Sequence, residues 1–214
     1  MNEEVSIINI STRNERIKNF FFKNKKLIIA AIIFLVVILL SFFSYQNYKE
    51  GQKEQLANKY NSSIIEYENG DKSKIFSTMK EIIEDKDTTY SPLALYFLID
   101  NNIINSDKEI NKLFDIILKI RKLDKEIRNL VIYKKGLFNS NFEGENNLIK
   151  ILSPILNTNS IWKSHALFLM GEYFLSKNEK IKAKEFFEKI LVLENSNPDI
   201  KLEAQKIIQR DLSE

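Results

Sequence analysis

Few side chains in this sequence could do chemistry on their own. His165 is the single histidine, and the chain of 214 residues has no cysteine. A zinc site or a nucleophilic dyad needs several such ligands or bases close together. The 29 acidic residues are numerous but alternate with lysine, as in KEFFEKI at residues 184–190, which is typical of solvated helical i,i+4 pairs. We therefore predict no metal site, no cofactor and no catalytic residue, that is, a protein that is not an enzyme.

Phosphate and nucleic-acid chemistry are disfavoured by the glycine content and the charge distribution. The five glycines form no phosphate-cradling loop. The formal net charge is +3, and residues 1–26 carry six basic against three acidic side chains. The remainder of the chain is therefore balanced, without the basic excess that binding to nucleic-acid phosphates needs. We predict no nucleic-acid partner.

Residues 27–48, LIIAAIIFLVVILLSFFSYQNY, contain no charge. About 20 apolar residues span the hydrocarbon core of a bilayer as a helix. The alternatives are a cleaved signal peptide, whose apolar region is shorter and ends at a small-x-small site, and a buried core helix. We predict an uncleaved single-pass membrane anchor. The preceding bases place residues 1–26 in the cytoplasm and residues 49–214 on the other side of the membrane.

Residues 49–214 show the 3.6-residue periodicity of helices throughout. Turn signals divide this region into about nine short helices, and short connections between helices favour antiparallel neighbours. The predicted fold class is all-α, with one N-terminal transmembrane helix followed by a solenoid of tetratricopeptide-like helical hairpins. The predicted hairpins are residues 56–85, 92–121, 124–157 and 161–194.

Several helix boundaries are predicted from individual residues. Ser91, Ser106 or Asp107, Asp124 and Ser160 are predicted N-caps, and Asn178 is predicted to end a helix. Either Pro198 or Asp199 is predicted to open the last helix. Pro154 lies inside an apolar run, where we expect a kink or a break.

The hairpin at residues 161–194 carries the clearest repeat pattern. A glycine in a helix interior costs about 1 kcal/mol relative to alanine, so Gly171 calls for a packing reason. We predict that Gly171 faces Ala183 across the turn and lets two helices approach closely. The set that matches the tetratricopeptide repeat is Leu167, Gly171, Phe174, Ala183 and Phe187.

The segments RIKNFFFKNKKLIIAAIIF, YENGD and IWKSHALFLMGEYFLSKNEKIKAKEFFEKI together resemble one family. The chain is similar to the YfgM-like proteins of Gram-negative bacteria, which are ancillary subunits of the Sec translocon. That resemblance implies an inner-membrane protein with a periplasmic helical domain. It also implies two partners, the Sec translocon subunits and a membrane-anchored parvulin-like chaperone, and a role in handing over emerging polypeptides.

In a repeat of this kind, the groove face of the first helix is offset from its packing face. This offset predicts the partner-contact residues His165, Phe168, Glu172 and Leu175. A competing interpretation packs Phe168 and Leu175 against the previous hairpin. Two alternative functions also remain open, namely a periplasmic scaffold for envelope or cell-division assembly and an envelope enzyme subunit or sensing domain.

Overall fold

The computed structural model describes residues 15–16, 18–70 and 74–212, and over these ranges the protein is all-α without strands. This confirms the predicted fold class. Beyond a short helical stretch before residue 24, the helices are α1 Lys25–Glu68, α2 Ile75–Glu84, α3 Tyr90–Asp100, α4 Asp107–Leu118, α5 Lys125–Asn139, α6 Glu145–Leu156, α7 Lys163–Ser176, α8 Lys180–Leu191 and α9 Pro198–Asp211.

Helix α1 runs without interruption for 44 residues. The apolar segment at residues 27–48 and the helical residues that follow it therefore belong to one helix. Residues 49–55 are fully helical, and a Cβ added to Gly51 would meet no other atom within 4 Å. Residues 49–55 stay helical because most of them are lysine, glutamate or glutamine, which are good helix formers.

The chain divides into two compact units, residues 1–55 and residues 56–214. In the first unit, α1 is long and apolar enough to cross a membrane. Its apolar side chains are exposed, among them Phe34, Leu35 and Leu40, whereas those of a core helix would be covered by protein. The first unit therefore contains a candidate membrane span.

In the second unit, helices that follow one another in sequence pack against one another. The closest approaches join α2 to α3, α5 to α6, and α7 to α8, and α9 lies against both α7 and α8. The closest pairing in this half, α2 with α3, therefore joins residues that the sequence assigned to two separate hairpins, 56–85 and 92–121. There the buried Ser91 hydroxyl donates a hydrogen bond of 2.9 Å to the carbonyl of Ile82, which joins α3 to α2.

Two apolar cores fill the second unit. The first lies mainly between α2, α3 and α4 and includes Phe114, and residues 56–67 of α1 pack on it through Leu56, Tyr60, Ile64 and Tyr67. The second lies between α5 and the end of α9 and includes Phe174 and Phe187.

The two cores are joined by polar contacts. The Arg128 guanidinium donates to the carbonyls of Leu118 and Ile120 at the end of α4. The side-chain amides of Asn111 and Asn139 also exchange two hydrogen bonds of 3.0 Å. These contacts fix α5 against α4, so the helices of the second unit form one continuous series.

Several predicted helix ends are confirmed. Ser106 and Asp124 accept hydrogen bonds from the first amides of α4 and α5. Asn178 has a φ of 61° just after α7, and Pro198 is the first residue of α9. The prediction for Ser91 is wrong, because α3 begins at Tyr90 and the Ser91 hydroxyl points to α2.

Pro154 does not break α6, which continues to Leu156. A proline in a helix removes the amide that would bind the carbonyl four residues earlier. Here that carbonyl belongs to Lys150, and the Ser153 hydroxyl donates to it at 3.1 Å. The neighbouring serine replaces the missing donor, and only two residues of helix follow.

Candidate partner-binding face

The four predicted partner-contact residues lie on α7 but fall into two groups. The Phe168 ring packs against Phe187 with centroids 5.4 Å apart, and Leu175 is a half-buried residue packed on the second core. His165 is half-buried and Glu172 is exposed. Glu172 is therefore the exposed member of the set, and His165 is the half-buried member that lies next to two further aromatic rings.

Two further aromatic side chains lie beside His165. The Tyr133 ring of α5 stacks on Trp162, with centroids 5.9 Å apart and planes 18° apart. His165 meets Tyr133 at 5.7 Å and Trp162 at 5.1 Å. All three rings are half-buried, and Tyr133 and Trp162 also pack on the second core. We name Tyr133, Trp162, His165 and Glu172 the inner face.

A chain of hydrogen bonds holds the start of α7 against α5. The Asn129 amide donates to the Ser160 hydroxyl at 3.0 Å, and that hydroxyl donates to the Glu126 carboxylate at 2.7 Å. The Ser160 oxygen also accepts from the Trp162 amide at 3.1 Å, although α7 itself begins only at Lys163. Ser160 thereby fixes the turn that places Trp162 on Tyr133.

Partial burial shifts the pKa values of the titratable groups on the inner face. Burial lowers the pKa of His165, with the Ile161 carbonyl as a smaller opposing influence, and its buried Nδ1 has no hydrogen-bond partner. Burial also raises the pKa of Tyr133, to which the Glu172 charge adds. The pKa of Glu172 is raised. The larger cause is partial loss of water around its carboxylate, and the smaller is the negative charge of Glu203. The face therefore lowers the stability of both an imidazolium and a carboxylate.

The predicted repeat-packing residues are all buried, namely Leu167, Gly171, Phe174, Ala183 and Phe187. A Cβ on Gly171 would lie 2.6 to 2.9 Å from three atoms of the Phe187 ring. The closest neighbour of this glycine is thus the Phe187 ring, where the sequence suggested Ala183.

A second glycine contact was not predicted. A Cβ on Gly136 of α5 would lie 2.5 Å from a methyl carbon of Leu152 on α6. Gly136 precedes Leu152 by 16 residues, as Gly171 precedes Phe187, and the two glycines are 35 residues apart. Searching for that period would have found Gly136, and with it the position of Tyr133 three residues earlier, one turn along α5.

Among the described residues there is no group of three or more histidine, aspartate or glutamate side chains placed to hold a metal ion. The arrangement instead offers aromatic edges, a histidine and a carboxylate on adjoining helices. Such groups bind other molecules by apolar contact, cation–π contact and ion pairing.

Comparison with known proteins gives one result. Residues 18–109 match a family described as a tetratricopeptide repeat-like domain. No curated protein matches the chain, and no solved structure does. The matched range takes in α1, α2 and α3, and it ends before the inner face.

Proposed function

We propose that this protein is a membrane-anchored module for protein–protein interaction and acts as an ancillary subunit of the Sec translocon. The observation that carries the proposal is the tetratricopeptide repeat-like match over residues 18–109, which includes the candidate span and the start of the helical repeats. Stacked helical repeats present extended surfaces to protein partners. The inner face is the surface of this kind on α5 and α7.

The finer assignment rests on the resemblance to YfgM-like proteins. In this proposal the span lies in the bacterial inner membrane, the basic N-terminal tail is cytoplasmic and residues 49–214 are periplasmic. The partners are the Sec translocon and a membrane-anchored parvulin-like chaperone, and no step of the role requires a catalytic residue.

Site-specific photocrosslinking in intact cells tests the partners. A photoreactive amino acid replaces Tyr133 or His165 on the inner face, and a matched control replaces Ile181, which is 80% exposed on α8. We expect translocon subunits and the chaperone to be crosslinked from the inner face and not from Ile181. Recovery of only cell-division or outer-membrane assembly proteins would overturn the translocon assignment and favour the scaffold alternative.

Protease protection tests the orientation separately. Protease added to spheroplasts should remove residues 49–214, while a cytoplasmic marker stays intact until the cells are lysed. Full protection of this region before lysis would show that the orientation is inverted.

A further inference from the structure

We propose that the inner face binds a polypeptide segment in which a lysine or arginine follows an apolar side chain by about three residues, with the cation placed at Glu172. This inference rests on the proposed function, since it names the kind of chain that the same surface binds.

Glu172 supplies the charge of the inner face. Two carboxylates elsewhere in the second unit meet a lysine of a neighbouring helix: Lys80 lies 2.7 Å from Glu109, and Lys135 lies 2.7 Å from Asp115. No lysine or arginine forms an ion pair with Glu172 among the described residues, and the charge that acts on its pKa is the like charge of Glu203. A cation supplied by a partner would offset this repulsion.

The contrast with Glu109 makes the same point. Its bond to Lys80 lowers the pKa of Glu109, whereas protein atoms and Glu203 raise that of Glu172. The two carboxylates differ in whether an opposite charge is present. The inner face is therefore complementary to a positive group.

Three half-buried rings lie against one another on the inner face. Tyr133, Trp162 and His165 form one contiguous cluster, which suits an apolar side chain of the partner. Aromatic rings also tolerate a nearby cation, because its charge is attracted to their faces.

The distance between His165 and Glu172 along α7 sets the spacing expected in the partner. His165 and Glu172 are seven residues apart on α7, which places them on one side of the helix and about 10 Å apart along its axis. An extended chain advances about 3.3 Å per residue, so about three residues of partner span this distance. Hence we expect the cation three positions from the apolar residue.

Peptide binding to the full-length protein in detergent micelles tests this inference. The probes are two fluorescent twelve-residue peptides that differ at one position, carrying an apolar residue followed three positions later by either lysine or glutamate. We expect the lysine peptide to bind about fivefold more tightly at low salt and the preference to shrink as salt is added.

Variants identify the residue responsible. Glu172→Gln should abolish the preference for lysine, and Glu172→Lys should reverse it. The matched control is Glu185→Gln on the exposed side of α8, which should keep the wild-type preference.

The outcomes separate this inference from the function on which it rests. Equal binding of the two peptides, or a preference that survives Glu172→Gln, overturns the inference while leaving a peptide-binding module. If neither peptide binds and inner-face crosslinks reach only a second copy of this chain, both the inference and the proposed function fail.

Discussion

The two halves of the second unit bring their helices together by different means. In the later half, Gly136 and Gly171 leave room for Leu152 and the Phe187 ring. In the earlier half, the α2–α3 segment at residues 75–100 contains no glycine, and the buried Ser91 hydroxyl bonds the last turn of α2. Helices in the second unit therefore pack against one another both with and without a glycine at the contact.

This difference decides which half can be recognised from a repeat pattern. The glycine contacts leave a fixed 16-residue spacing in the sequence, whereas a serine hydrogen-bonded to a carbonyl leaves none. Yet the family match covers residues 18–109, which end before Gly136 and Gly171. The family match and the glycine spacing are thus separate signals in different parts of the chain.

The largest expected effect comes from removing the side chain that covers Gly171. Phe187 is fully buried, so Phe187→Ala should leave a cavity and lower the free energy of unfolding by about 3–5 kcal/mol. Urea denaturation of the full-length protein in detergent measures this. The control Ile181→Ala, at a position 80% exposed on the same helix, should change it by less than about 0.5 kcal/mol. Equal losses would mean that α8 is not packed as described.

The next effect compares the two glycines directly. Gly171→Ala should lower the free energy of unfolding by about 1–3 kcal/mol, because its Cβ would meet a rigid ring at three atoms. Gly136→Ala should cost less than about 1 kcal/mol, since its Cβ meets mainly a mobile Leu152 methyl and alanine favours the helix. In a Phe187→Leu background the cost of Gly171→Ala should shrink. An unchanged cost there would contradict the ring contact.

The helical character of the second unit could be predicted because the 3.6-residue periodicity and the caps are local. Ser106, Asp124 and Pro198 act on amides within their own turn, so their roles follow from adjacent residues. The pairing of α2 with α3 could not be predicted from local signals. It rests on contacts between the helices, among them the hydrogen bond from the Ser91 hydroxyl to the Ile82 carbonyl.

The candidate face was predicted only in part for the same reason. Helical spacing places His165 and Glu172 on one side of α7, but their neighbour Tyr133 is 32 residues before His165. That contact depends on how α5 and α7 pack, which the hydrogen bonds around Ser160 determine. The signal available in the sequence was a second glycine, Gly136, 35 residues before Gly171.

A smaller effect is expected in the earlier half. Ser91→Ala should lower the free energy of unfolding by about 1 kcal/mol, because it removes a buried donor from the Ile82 carbonyl near the end of α2. The matched control is Ser62→Ala, whose exposed hydroxyl also bonds a backbone carbonyl. Urea denaturation of both variants checks this. Indistinguishable losses would show that the hydroxyl is not what joins α2 to α3.

The smallest effect concerns the charge of the inner face. Burial lowers the pKa of His165 in the folded protein, so the unfolded chain binds its proton more readily. Stability from this residue is fully present above the unfolded pKa of about 6.5 and is lost as pH falls below it. Between pH 7.5 and 5.5 the wild type should therefore lose more stability than His165→Gln, measured by urea denaturation at each pH.

Glu172 acts in the opposite sense, and this allows a control. Its pKa is raised on folding, so its contribution is present at low pH and is lost as pH rises through the folded pKa. In a Glu172→Gln background that opposing contribution disappears, and the loss due to His165 should be seen alone. Since His165 is the single histidine, its proton resonances report its pKa without overlap. A titration midpoint at or above 6.5 in the folded protein would contradict the partial burial of the His165 ring on the inner face.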